Sequence, residues 1–134
     1  MKKRQIIVYA LILIVAAGAF FGIKSYAELK KYQKQVEDIN ISEVDLSKVP
    51  DGTYTGSCEV IWVAAEVKVT VKDHRITEIE LTKHENGKGK PAEIITDKVV
   101  EAQSLKVDVI TGATSSSKVI LKAIQNALDS AVGR

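Results

Sequence analysis

Eighteen consecutive residues near the N-terminus, Ile6 to Ile23 (IIVYALILIVAAGAFFGI), carry no charge, and this run constrains the chain more than any other stretch. As a helix it is about 27 Å long at 1.5 Å per residue. That is close to the roughly 30 Å hydrocarbon core of a bilayer. A soluble core helix keeps a polar face, and this run has none. It reads as a transmembrane anchor over residues 6–23, preceded by a short basic segment, residues 1–5. A cleavable signal peptide is the rival reading, with an apolar region of about 7–15 residues ending at small residues. Ser25-Tyr26-Ala27 is a fair cleavage site, but the longer run favours retention. Charge leaves the orientation open. Lys2, Lys3 and Arg4 favour an inside N-terminus, yet Lys24, Lys30, Lys31 and Lys34 follow the span.

The whole chain is 134 residues, so about one ordinary domain remains after the anchor. Its net charge is +2, and lysines alternate with Glu and Asp along most of it. A nucleic-acid binder shows a basic stripe or face, and none is visible here. Cys58 is the single cysteine. It has no disulfide or CxxC partner, it lies too far past the anchor to carry a lipid, and it reads as a small apolar filler in a strand.

Glu28 to Asn40 has helix-forming composition with a thin apolar stripe of Leu29, Tyr32, Val36 and Ile39. The plainest reading is a stalk that continues the anchor helix; a partner-docking helix is the alternative. Residues 24–50 are thus taken as stalk and linker. Pro50-Asp51-Gly52 is a turn signature, and the folded domain is placed at 51–134. A short strand starts at Thr53. Ala65 to Lys72 alternates, with Val67, Val69 and Val71 on one face. Ile76 to Thr82 alternates again, with Ile79 and Leu81 inward, and Asp73-His74 joins the two as a hairpin. After the loop His84–Pro91, a helix is expected from Pro91 to Gln103, with proline in its first turn. Val107–Ile110 is a short apolar run that reads as a strand. The last helix has the widest apolar face: Val119, Ile120, Ala123, Ile124, Ala127, Leu128 and Ala131. Helices on one face of an antiparallel sheet make an α+β domain.

Chemistry concentrates just before that last helix, in Asp108-Val109-Ile110-Thr111-Gly112-Ala113-Thr114. A helix N-terminus offers unpaired N–H groups and partial positive charge to an anion. Gly112 permits positive φ or close backbone approach. Ser115 or Ser116 is expected to cap the helix. The segment Gly112–Lys118 does not satisfy the phosphate-loop pattern GxxxxGK[ST], because Ser117 and Val119 occupy two of its fixed positions. The residues alone support a helix cap or a phosphate site.

The stretch DVITGAT resembles the flavinylation motif of the FMN-binding domain family: Asp, two variable residues, Ser or Thr, Gly, Ala, Thr. That domain occurs in the C subunit of the sodium-translocating NADH:quinone reductase and in small membrane-anchored proteins of Gram-positive bacteria. Val109 stands where the family often has glycine. The likeness runs from about Asp51 to the C-terminus and includes the loop His84–Ala92. It implies FMN joined through its phosphate to Thr114 by a separate flavin transferase. Asp108, Thr111, Gly112 and Ala113 match the rest of the motif, and Ser115 and Ser116 follow at the helix start. It further implies that the loop beginning at His84 borders the flavin, with Glu85, Asn86 and Lys88 near its polar edge.

The expectation is an electron-transfer flavoprotein on the extracytoplasmic face, with residues 1–5 cytoplasmic and a membrane reductase or other redox protein as electron donor. The alternatives are a non-covalent flavin-binding module and a structural membrane-anchored module. Trp62 is expected to be a half-buried strand residue and His74 an exposed turn residue. Nothing in the sequence resembles a metal cluster or a catalytic triad.

Overall fold

A computed structural model describes residues 2–85 and 90–133. The chain divides into two compact units, Met1–Lys34 and Gln35–Arg134. The described residues of the first, 2–34, are all helical. Helix α1 (Lys2–Glu37) has 36 residues, a length of about 54 Å, and it continues without a break past Ile23. Among the described residues it is the one helix long and apolar enough to cross a membrane. The apolar side chains of its first part are exposed: Phe20 and Phe21 are each 72% exposed. Burying a side chain of this size is worth roughly 1.5–3 kcal/mol, so a helix this apolar is stable where its surroundings are apolar too.

The second unit is an α+β domain. Strands β1 (Gly52–Glu59), β2 (Ala64–Lys72) and β3 (Arg75–Glu85) form an antiparallel sheet in the order β1-β2-β3. The alternation read from the sequence holds: Val67, Val69 and Val71 are at most 1% exposed, while Lys68 and Lys72 face solvent. Ile79 and Leu81 are half-buried on the same side. Asp73 and His74 both take positive φ, 52° and 61°, as a two-residue hairpin turn matched to strand twist requires. Strand β3 runs three residues beyond Thr82, which brings His84 into register with Ala65 of β2.

Helix α3 (Thr114–Ala131) packs on β1 and β2. Val119, Ile120, Ala123, Ile124 and Ala127 are fully buried there. The approach is close enough that Gly56 of β1 is required. A Cβ at that position would overlap the Ala123 carbonyl and the Ala127 backbone.

The helix expected over Pro91–Gln103 is shorter. Lys90–Ile94 is a 3₁₀ turn, and α2 spans Ile95–Ala102. A 3₁₀ turn stacks residues three apart, and here it brings Ala92 and Ile95 together at 0% exposure. Gln103 ends α2 in the left-handed region, at φ 52°. Its side-chain amide then pairs with Ile76 on the outer edge of β3. Nε2 donates to the Ile76 carbonyl and Oε1 accepts from its N–H, each at 2.7 Å.

Residues 35–50 belong to this compact unit, so the part expected as linker is packed over its second half. Val36, Val44 and Val49 are buried. The Ser42 N–H donates to Gln125 Oε1 at 3.0 Å, and Lys122 Nζ donates to the Asn40 carbonyl at 2.9 Å. Glu43 accepts from Ser104 Oγ and from the Leu105 N–H.

Candidate functional site

The segment that follows Gln103 returns to the start of α3. The strand expected at Val107–Ile110 does not form; no ladder partner meets it among the described residues, and Val109 is 38% exposed. The chain then turns sharply, with the Ala113 N–H donating to the Ile110 carbonyl at 2.9 Å. Gly112, third residue of this turn, has φ 80°, a value that suits glycine and strains other residues. Among the described residues nothing lies within 4 Å of where its Cβ would be, so no described neighbour crowds the turn.

Thr114 is the first residue of α3 and is exposed. Asp108 and Thr111 are also exposed, Ala113 is buried and Ser115 is half-buried. The expected cap by Ser115 or Ser116 is not made. Ala113 is the N-cap residue, and among the described residues no side chain caps the helix. Both serines lie inside the helix, and their neighbour Ser117 closes the turn instead. Its Oγ donates to the Ala113 carbonyl at 2.7 Å and accepts from the Ile110 N–H at 3.0 Å.

Ser116 points inward and is 2% exposed. Its Oγ lies 3.1 Å from His84 Nε2. His84 Nδ1 in turn lies 2.8 Å from Glu93 Oε2, and the His84 side chain is 3% exposed. Three elements thus meet at one imidazole: the end of β3, the 3₁₀ turn before α2, and the first turn of α3. A carboxylate beside Nδ1 favours the proton there, which leaves Nε2 to accept from the serine.

Residues 61–129 match the model of the FMN-binding domain family. The chain belongs to this family. A curated relative, the NADH:acrylate oxidoreductase of Vibrio harveyi, is 33% identical over 116 residues. That alignment covers 83% of this chain and 11% of the relative, so the chain spans a small part of a much longer protein.

FMN is the cofactor of this FMN-binding domain, and the start of α3 fits its phosphate. The first N–H groups of an α-helix have no intrahelical partner, and here the N-cap residue Ala113 offers no side-chain acceptor. The partial positive charge of an 18-residue helix adds to their attraction for an anion. The open space at Gly112 and the exposed hydroxyl of Thr114 lie on the same turn.

The FMN-binding domain places the remaining candidates elsewhere. Trp62 is in the loop between β1 and β2 at 47% exposure, rather than half-buried in a strand. His74 is exposed in its hairpin turn, with Nδ1 3.2 Å from the Leu46 carbonyl. Cys58 sits half-buried on β1, and burial pushes its thiol pKa up. Glu85 is exposed and 3.6 Å from Lys83 Nζ. Asn86 and Lys88 lie outside the described residues. Glu93 and Ser117 escaped the sequence reading. Nothing marks Glu93 as a partner of a histidine nine residues earlier, because the pairing is made by the fold. Ser117 left only a weak signal, as one of three serines at a helix start.

Proposed function

We propose that this protein is a membrane-anchored electron carrier with FMN attached as a phosphoester to Thr114. The observation that carries the reading is an exposed Thr114 at the first position of a helix whose N-terminus no side chain among the described residues caps. The attachment forms a bond between Thr114 Oγ1 and the flavin phosphorus as a phosphoanhydride bond of a flavin dinucleotide donor breaks; the nucleoside monophosphate leaves and the threonine proton is released, so the adduct is FMN less one water. A threonine hydroxyl is a weak nucleophile without a base, and none of the described contacts gives Thr114 one. A separate flavin transferase supplies that activation.

The turn then holds the product. The uncapped N–H groups and helix dipole stabilise the phosphoester's negative charge, and Gly112 keeps the approach clear. When bound, the flavin supplies one- and two-electron redox chemistry, while the protein sets its position and surroundings. The exposed apolar side chains Ile94 and Val109 are available to cover part of a ring. The anchor α1 keeps the domain at the membrane, on the extracytoplasmic face by its likeness to small anchored members of the family. A membrane reductase or other redox protein donates the electrons. A tether is useful there, since free flavin is dilute outside the cell and a dissociated cofactor would be lost.

The test is intact-protein mass after co-expression of the full chain with a flavin transferase, followed by denaturation. A gain equal to FMN less one water, mapped to the Thr114 peptide and missing in Thr114→Ala, is expected. An unmodified chain beside a working transferase overturns the reading.

A further inference from the structure

His84 is almost fully buried, and both ring nitrogens are engaged. A side chain so placed acts through its partners. Glu93 is the outer end of the chain of contacts, with its side chain 36% exposed, and Ser116 is the inner end at 2%. Ser116 lies two residues after Thr114 on the first turn of α3, where fraying is otherwise easiest.

We propose that His84 is a positioning residue for the modification of Thr114. Held by Glu93, its Nε2 fixes Ser116 Oγ inward and so fixes the first turn of α3. Ser117 fixes the same turn from the other side through Ile110 and Ala113. With Ser116 and Ser117 both directed into the protein, Thr114 faces outward and the helix N-terminus is kept free for a phosphate. The geometry matters because phosphoryl transfer depends on alignment; a misplacement of about 1 Å can slow a reaction roughly a hundredfold. This inference rests on the reading of Thr114 as the attachment site.

A purely apolar core would stabilise this corner as well as a buried imidazole does, since buried polar groups seldom add net stability. What the imidazole adds is direction. It joins a strand end, a 3₁₀ turn and a helix start through bonds of defined geometry, and hydrophobic contacts alone leave such elements free to slide.

The experiment uses the full chain in detergent, incubated with a flavin transferase and its flavin donor, with the modified fraction read by intact mass against time. Wild type, His84→Ala, His84→Gln, Ser116→Ala and the double variant His84→Ala/Ser116→Ala are compared, each with its melting temperature. His84→Ala and Ser116→Ala should each slow modification at least about tenfold, and the double variant should be no slower than either. His84→Gln should recover much of the rate, because its amide reaches toward Ser116. In the flavin-free protein, amide exchange over residues 114–117 should quicken in His84→Ala and recover in His84→Gln. If His84→Ala does not fold, Ser116→Ala decides, since it removes a single hydroxyl. Wild-type rates in folded Ser116→Ala and His84→Ala overturn this inference and leave the attachment site standing. So do additive losses in the double variant. A wild-type chain that stays unmodified, beside a control protein that the transferase does modify, overturns both.

Discussion

The hydroxyl of Ser117 closes the turn that presents Thr114, and it does so while fully buried. In Ser117→Ala the Ile110 N–H loses its acceptor. That bond is part-buried, so its loss should cost about 0.5–1.5 kcal/mol, and the urea midpoint should fall accordingly with little change in slope. Glu93→Gln keeps the size of the side chain but removes the charge that orients His84. It should lower the rate of Thr114 modification while leaving the fold intact, as judged by circular dichroism. The candidate Thr114 and its neighbours Asp108 to Ala113 could be read in the sequence because their motif is contiguous. His84 stood out as the start of the loop that the resemblance sets beside the flavin. Its connection to Ser116 spans 32 residues and depends on how far β3 extends, which alternation alone did not define past Thr82.

Close packing between α3 and β1 makes one small residue decisive. Gly56→Ala would force the helix away from the sheet. Overpacking of this kind costs typically about 1–3 kcal/mol, and a drop in thermal midpoint of full-chain protein would show it. At the 3₁₀ turn Leu46–Lys48, Asp45 accepts from both the backbone N–H and the hydroxyl of Ser47. These bonds hold its carboxyl below the usual aspartate range. A depressed folded pKa gives stability above the unfolded value, about 3.9, and loses it as pH falls through the folded value. The gap in melting temperature between wild type and Asp45→Asn should therefore narrow below about pH 4. The strands and α3 were legible because one face of each is buried and leaves a period in the sequence. The 3₁₀ turn before α2 was not, because Pro91, Ala92 and Ile95 suit either kind of helix, and tertiary burial made the choice.

As a whole, the molecule joins an apolar helical unit to a domain that begins earlier than its turn signature suggests. The Pro50-Asp51-Gly52 turn marks the start of the sheet, yet residues 35–50 already contribute Val36, Val44 and Val49 to the packed unit. A truncation starting at Ser42 deletes Val36 and also Gln35, whose Oε1 accepts from the Ile61 N–H at 2.9 Å. It should melt several degrees below one starting at Glu28, since about 1 kcal/mol shifts the midpoint by roughly 4–8 °C in a domain of this size. The amide of Gln103 on the outer edge of β3 has its own consequence at this scale. An exposed strand edge invites a strand from a neighbouring molecule. By occupying both backbone groups of Ile76, Gln103 removes the first rung on which a second copy could build, and it guards the domain against aggregation from that side.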